Sequence, residues 1–111
     1  MGRILAVLAL VFLVTPAQAQ FRMKDYVGDW KLSLHGKHCV VKFTGKPVHG
    51  AYGLTQKCPD TFPMQSVAAW KAFDGGILFV SDTGAPVVTF QAAEEIYLSS
   101  NDPQLSLRKM P

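Results

Sequence analysis

Short segments in which hydrophobic and polar residues alternate recur along most of the chain, separated by Gly, Pro, Asn and Asp. Between Trp30 and Leu34 every second residue is hydrophobic, which is the period of a strand with one buried face. Seven later segments share this pattern or are rich in β-branched and aromatic residues. They are centred on Val41, Leu54, Trp70, Phe79, Val88, Tyr97 and Leu107. The pattern predicts eight short strands.

Turn sequences separate these predicted strands. Asp74-Gly75-Gly76 is a strong hairpin signal. We expect Gly45-Lys46-Pro47 to end the second strand, and a longer loop to follow Cys58. The stretches 65–72 and 91–95 also have helical propensity, so a helix or a helical turn is the alternative there.

Eight short strands joined by tight turns predict an all-β fold, an eight-stranded antiparallel up-and-down barrel. Closing the sheet removes the exposed strand edges. A barrel of this size is either filled by side chains or holds one small ligand. We expect a packed interior rather than a ligand cavity, because five large rings fall at inward positions: Trp30, Phe43, Trp70, Phe79 and Phe90.

The N-terminal residues have the features of a secretory signal peptide. Arg3 supplies a positive charge, 4–14 is an unbroken apolar run of eleven residues, and Ala17-Gln18-Ala19 is a small-x-small cleavage site. Eleven residues are too few to span a bilayer core of about 30 Å. We therefore expect cleavage after residue 19, export to the periplasm, and no membrane insertion afterwards. The mature chain would consist of an N-terminal trunk, 20–27, and one barrel domain, 28–111.

Charge and composition exclude several kinds of partner. Without Arg3 the chain has ten basic and eight acidic residues, a net charge of +2. The positive charges are scattered along the sequence and form no run, which argues against a nucleic-acid or membrane-surface partner. We expect a monomer.

The chain contains two cysteines, Cys39 and Cys58. In an exported protein an even number of cysteines predicts a disulfide. Closing a loop of this length stabilises a fold by roughly 3 kcal/mol. A redox-active or metal-binding thiol pair is the alternative, but such pairs have closer spacing.

Residues that could carry catalysis are sparse. His35, His38 and His49 are the three histidines, and a zinc site built from them is the alternative to solvated turn residues. No serine or carboxylate lies in a nucleophile elbow or a metalloprotease motif. We expect Trp30 and Trp70 to be core residues rather than a stacking platform for bases or sugars. The sequence therefore predicts no catalytic residue, no metal site, no cofactor and no enzymatic activity.

The segment Gly28-Asp29-Trp30-Lys31-Leu32-Ser33, with Gly36 and Cys39, resembles the first strand and turn of the bacterial alkaline-proteinase inhibitor family. That family comprises periplasmic inhibitors of serralysin-type zinc metalloproteases and is related to an outer-membrane lipoprotein of similar fold. The resemblance continues in the same order to residue 109, through Cys58-Pro59, Trp70, 76–79, 82–84, Phe90, Tyr97 and 105–108.

The resemblance implies an eight-stranded barrel with one disulfide, and inhibition by a trunk that lies in the protease cleft with its first residue at the catalytic zinc. The trunk is shorter than in better-known inhibitors and has no proline near its middle. By position its protease-binding residues are Gln20, Phe21, Arg22, Met23, Lys24 and Asp25. The residues of the family motif are Gly28, Trp30, Leu32, Ser33, Trp70 and Phe90.

Three alternatives remain open at this point. The chain could be a lipocalin-like carrier of a small apolar ligand, or an envelope structural module with the inhibitor fold. The trunk could also be only a disordered terminus. If the trunk does bind a protease, we expect deletion of 20–24 to weaken inhibition at least about 100-fold and to leave the thermal stability almost unchanged.

Overall fold

The computed structural model of the protein describes residues 21–111, so the predicted signal peptide and Gln20 lie outside the described residues. Within this part of the chain, no helix is both long enough and apolar enough to cross a membrane. A 3₁₀ turn at Met23–Asp25 precedes eight strands. The strands are β1 (Gly28–Leu34), β2 (Lys37–Val48), β3 (Ala51–Gln56), β4 (Ala69–Phe73), β5 (Gly76–Val80), β6 (Pro86–Ala93), β7 (Ile96–Ser99) and β8 (Ser106–Lys109).

The eight strands form a closed barrel in sequence order, and every neighbouring pair is antiparallel. β1 and β8 close it, with Trp30 opposite Lys109 and Leu32 opposite Leu107. The predicted fold class is confirmed. The helical alternatives for 65–72 and 91–95 are wrong, because β4 and β6 occupy much of these stretches as members of the barrel.

The second strand does not end at Gly45 as the sequence predicts. β2 continues to Val48, and its register with β3 shifts between Phe43 and Pro47. The Thr44 hydroxyl donates a hydrogen bond to the Gly53 carbonyl at 3.0 Å and accepts one from the Lys46 amide at 3.3 Å. These bonds satisfy backbone groups that the irregular register leaves out of the ladder, so the strand survives its glycine and proline.

The interior is packed with the five rings that the alternation placed inward, each at most 3% exposed. The Phe43 ring stacks between Trp30 and Trp70, with centroid distances of 4.7 and 4.8 Å. Phe79 meets Phe43 and Phe90 edge to face. Rings in direct contact occupy the space that a carried ligand would need, as the sequence predicts.

Two parts of the packing are absent from the sequence prediction. The loop between β3 and β4 buries three side chains in the main core: Phe62, Met64 and Val67. A second small cluster joins Ala51, Ala69, Leu78 and Val80, with Val48 packed against it. Because Phe79 faces the interior, Leu78 and Val80 lie on the outer side of β5, and this cluster explains why these two residues are also buried.

Cys39 and Cys58 form the predicted disulfide, with their Cα atoms 5.3 Å apart. The bond connects β2 to the loop that follows β3. That loop is also held by Gln56, whose side chain accepts from the Cys58 amide at 2.8 Å and donates to the Met64 carbonyl at 3.2 Å. The disulfide and this side chain together fix the position of Lys57 beside β2.

Replacing both cysteines, Cys39→Ser with Cys58→Ser, is expected to lower the free energy of unfolding by about 2–4 kcal/mol and to preserve the far-UV spectrum of the barrel. The unfolded chain regains the freedom that the closed loop removes, while the strand ladders do not depend on the bond. Urea unfolding measures the difference. Reductant should reproduce it in the wild type and have no effect on the double variant, which is the control. Two titratable thiols in the natively purified protein would contradict the prediction.

Candidate functional site

The trunk is folded onto one part of the barrel rather than extended away from it. Three short backbone bonds build the 3₁₀ turn: the Asp25 amide donates to Arg22, and those of Tyr26 and Val27 both donate to Met23. No side chain caps the turn. Apolar side chains in and beside this turn pack against the barrel and hold it in place.

The Phe21 ring packs among three other rings. It is parallel to Tyr52 within 11°, with centroids 6.0 Å apart, and it lies 5.4 Å from Tyr26 and 6.3 Å from Trp70. Yet Phe21 is 43% exposed. One face of the ring therefore contacts the barrel while the other remains available to a partner.

Tyr26 anchors the trunk more firmly. Its ring stacks on Trp70 at 5.4 Å, and its carbonyl accepts a hydrogen bond of 2.7 Å from the Trp30 indole. Burial, and then the charge and hydrogen bond of the neighbouring Tyr26 hydroxyl, raise the pKa of Tyr97 above its ordinary value. These contacts fix the trunk's C-terminal half on the barrel.

Met23 makes the third contact. Its sulfur lies against Gly45: a Cβ atom built at position 45 would be 3.5 Å from this sulfur, in van der Waals contact. Met23 and Tyr26 both pack against the main core. We call the barrel residues that receive the trunk the trunk seat, which consists of Gly45, Tyr52, Trp70 and Tyr97.

The charged residues of the trunk point to solvent. Arg22, Lys24 and Asp25 are exposed. The Arg22 guanidinium lies 3.7 Å from the Asp25 carboxylate, and both side chains are more than half exposed. An ion pair this exposed contributes little stability. These residues are therefore held loosely and remain free to contact another molecule.

The residues of the family motif have structural roles. Gly28 has a φ of +135°, which side chains rarely allow, and it turns the chain from the trunk into β1. Trp30 and Leu32 are buried, while the hydroxyl of Ser33 lies 3.5 Å from Nδ1 of His38 on the outer side. Trp70 and Phe90 are fully buried, and the Trp70 indole donates to the Thr44 carbonyl at 3.0 Å.

The sequence predicts the trunk residues but not the seat. It predicts Trp70 as a core residue and Tyr52 and Tyr97 as strand residues, and no local pattern indicates that any of the three contacts the trunk. Their contact with the trunk depends on segments more than twenty residues away in the chain.

The histidines do not form a metal site. Across residues 21–111, no group of three or more His, Cys, Asp or Glu side chains is arranged to hold a metal ion. His35 and His49 instead occupy tight turns, with φ angles of 51° and 45°. The zinc alternative for the histidines therefore has no structural support in this part of the chain.

Comparison with known proteins agrees with this architecture. The family described as "Protease inhibitor Inh" matches residues 20–108. No curated protein matches the chain. The crystal structure of a psychrophilic marine protease MP inhibitor is similar in fold, with a TM-score of 0.64, 15% sequence identity, and coverage of 78% of this chain and 97% of that one. Because the family match includes both the trunk and nearly all of the barrel, the chain belongs to the protease inhibitor family Inh and is a non-enzymatic inhibitor of proteases.

Proposed function

We propose that the protein is a stoichiometric inhibitor of a secreted, serralysin-type zinc metalloprotease, and that it acts by placing its trunk in the protease cleft. The observation that carries this proposal is the position of the trunk. Phe21, Arg22 and Lys24 are exposed at the start of the described chain, while Tyr26 is anchored on the barrel.

Apart from the trunk, the protein has few segments that could enter a protease cleft. All eight strands are paired on both sides, so it has no free edge along which a protease could align a strand. The trunk lies outside these ladders, and an extended segment of it can pair with a cleft as a substrate strand does. This argument favours the trunk over the barrel strands as the inhibitory element.

The length of the trunk sets how far it reaches. Three residues, 20–22, precede the 3₁₀ turn and span about 10 Å when extended. If the turn opens, 20–25 spans about 20 Å while Tyr26 stays on its seat. Opening breaks the three backbone bonds of the turn and the contacts of Phe21 and Met23. We propose that the turn opens when the protease binds, so that the longer reach becomes available.

The chemistry of a chain terminus suits a zinc protease. The catalytic zinc of such an enzyme keeps one coordination position open for water. After signal cleavage, the amine and carbonyl oxygen of Gln20 are donors able to occupy it. Because no peptide bond of the inhibitor would then cross the zinc, the inhibitor would not be cleaved.

Apolar side chains are exposed in the trunk and beside its C-terminal end. Phe21 is 43% exposed, and Val27 and Met110 are each 37% exposed. The Met110 amide donates to the Asp29 carbonyl at 2.9 Å, which keeps the chain after β8 beside the start of β1. We propose that these side chains contact the protease next to its cleft.

We place the protein in the periplasm for two reasons. Residues 1–19 have the pattern of a signal peptide, and the Cys39–Cys58 bond is of a kind that persists in oxidising compartments. There the inhibitor would protect the cell against protease that becomes active before it is secreted.

Titration of a purified serralysin-type protease is expected to show complete inhibition at one inhibitor per enzyme. A Gly-Ser dipeptide added before Gln20 should weaken inhibition at least about tenfold, a loss of about 1.4 kcal/mol, if the terminus reaches the zinc. The same dipeptide added after Pro111 is the control and should have no effect. Mass spectrometry shows whether Gln20 is present as glutamine or as pyroglutamate, which lacks the amine.

The outcomes separate the parts of the proposal. Inhibition of serine or cysteine proteases, with none of zinc enzymes, would contradict the target class. Full potency of the N-terminally extended protein would exclude zinc ligation by the terminus while leaving the trunk in the cleft.

A further inference from the structure

Almost all charged residues in the eight strands are basic. Asp29 is the one carboxylate in the eight strands. The other acidic residues of 21–111 lie in the trunk, in turns or in loops. Because the strands alternate inward and outward, basic residues far apart in the sequence are brought to one outer wall of the barrel.

This wall is formed by β8, β1 and β2. Lys31 lies between Arg108 on β8 and Val40 on β2, and all three are exposed. Two residues away along each strand, and therefore on the same face, Lys42 lies opposite Asp29. We call Lys31, Val40, Lys42, Lys57 and Arg108 the basic face.

A groove in this wall runs along β1, β2 and the end of β3. Asp29, Val40, Lys42 and Thr55 line it, and Lys57 and Pro59 form its far side. The Cys39–Cys58 bond holds that far side against β2. Val40, which also lines the groove, is 50% exposed and offers an apolar surface there.

The basic residues of the face form no ion pair within residues 21–111, although Asp29 lies opposite Lys42. Among residues 21–111, the ion pair found is that of Arg22 with Asp25, in the trunk. Lys31 and Arg108 lie directly opposite each other on neighbouring strands. Like charges in this arrangement repel and destabilise a sheet. A carboxylate bound between the two side chains would remove the repulsion.

We infer that the basic face is a second docking surface, which binds an acidic segment of the inhibited protease: its carboxylates meet Lys31, Lys42, Lys57 and Arg108, and an apolar side chain rests on Val40. This inference rests on the proposed function. Asp29, which lines the groove, lies two residues after Val27, the last residue of the trunk. A protease that holds the trunk therefore lies beside the basic face.

A polypeptide fits this face better than a lipid surface does. The groove is concave, and its lining includes both Asp29 and the apolar Val40. A continuous layer of anionic headgroups would meet Asp29 unfavourably and would not enter the groove. A protein segment of mixed composition can match positive, negative and apolar positions separately.

The test is the rate of association with a serralysin-type protease, measured for the wild type and for Lys31→Glu with Arg108→Glu. The double variant should associate at least about tenfold more slowly at low ionic strength, and the difference should shrink at about 0.5 M salt. Arg108→Glu alone should slow association severalfold. Lys46→Glu is the matched control for Arg108→Glu, because it changes the net charge equally at an exposed position outside the basic face, and it should not slow association.

Thermal unfolding verifies that each variant is folded. The neutral pair Lys31→Gln with Arg108→Gln should be at least as stable as the wild type, because it removes the repulsion. This pair should also associate more slowly with the protease.

Each remaining result overturns a distinct claim. If the wild type inhibits no metalloprotease, the proposed function fails and this inference fails with it. If the wild type inhibits but the double variant associates at the same rate, only the inference fails. Binding of the wild type to vesicles with about 30% anionic lipid, lost in the double variant without a change in association rate, would assign the basic face to membranes instead.

Discussion

Deleting 20–24 is expected to weaken inhibition of a serralysin-type protease at least about 100-fold, equivalent to about 2.7 kcal/mol. The deletion removes the chain terminus and Phe21, and it leaves Tyr26 on its seat. Because the remaining barrel is closed, it retains no free strand edge that could pair with a protease cleft. Inhibition constants of intact and truncated protein provide the measurement.

The deletion should also lower the stability of the protein moderately. The sequence predicted almost no change, but Met23 packs against the main core and Phe21 lies on Tyr52 and Trp70. Losing these partly exposed contacts should cost about 1–2 kcal/mol. Val88→Ala is the matched control, because it removes a buried side chain of the barrel at a similar cost and leaves the trunk intact. If Val88→Ala weakens inhibition as much as the deletion does, the effect is one of stability and the trunk model is wrong.

Trp70→Ala is expected to lower the free energy of unfolding by about 3–5 kcal/mol, the largest effect of any single substitution considered. The side chain is fully buried, stacks on Phe43 and supports both Tyr26 and Phe21. Its removal also leaves the Thr44 carbonyl without its indole donor. A loss of this size is comparable to the whole stability of a small domain, so partial unfolding at 37 °C is the expected observation.

Two further variants separate the roles of this residue. Trp70→Phe keeps most of the ring but loses the hydrogen bond, and should cost about 1–3 kcal/mol. Phe73→Ala lies on the same strand, but Phe73 is 52% exposed, so its removal should change stability by less than about 1 kcal/mol. Chemical unfolding of the three variants measures the loss in the free energy of unfolding for each, and so ranks them. Equal losses for Trp70→Ala and Phe73→Ala would contradict the assignment of Trp70 to the core.

For this protein, the amino-acid sequence by itself determined the features that depend on local period and residue type. Alternation showed which side chains of each strand share a face, and so placed Trp30, Phe43 and Phe79 inside. Two cysteines in a chain with a predicted signal peptide were enough to predict the disulfide. Eight short strands joined in sequence order predicted a closed barrel, because closing the sheet is the simplest way to avoid exposed strand edges. Each of these inferences uses neighbouring residues or a count.

Only the tertiary structure decided the features that depend on which distant segments meet. The trunk has no periodicity of its own, and its 3₁₀ turn is held by contacts with Gly45, Tyr52 and Trp70. β2 continues past Gly45 because Thr44 bonds to Gly53 on the next strand. The basic face is the clearest case. Lys31 and Arg108 are far apart in the sequence, and only the closure of β1 against β8 places them side by side, because register across strands is a long-range property.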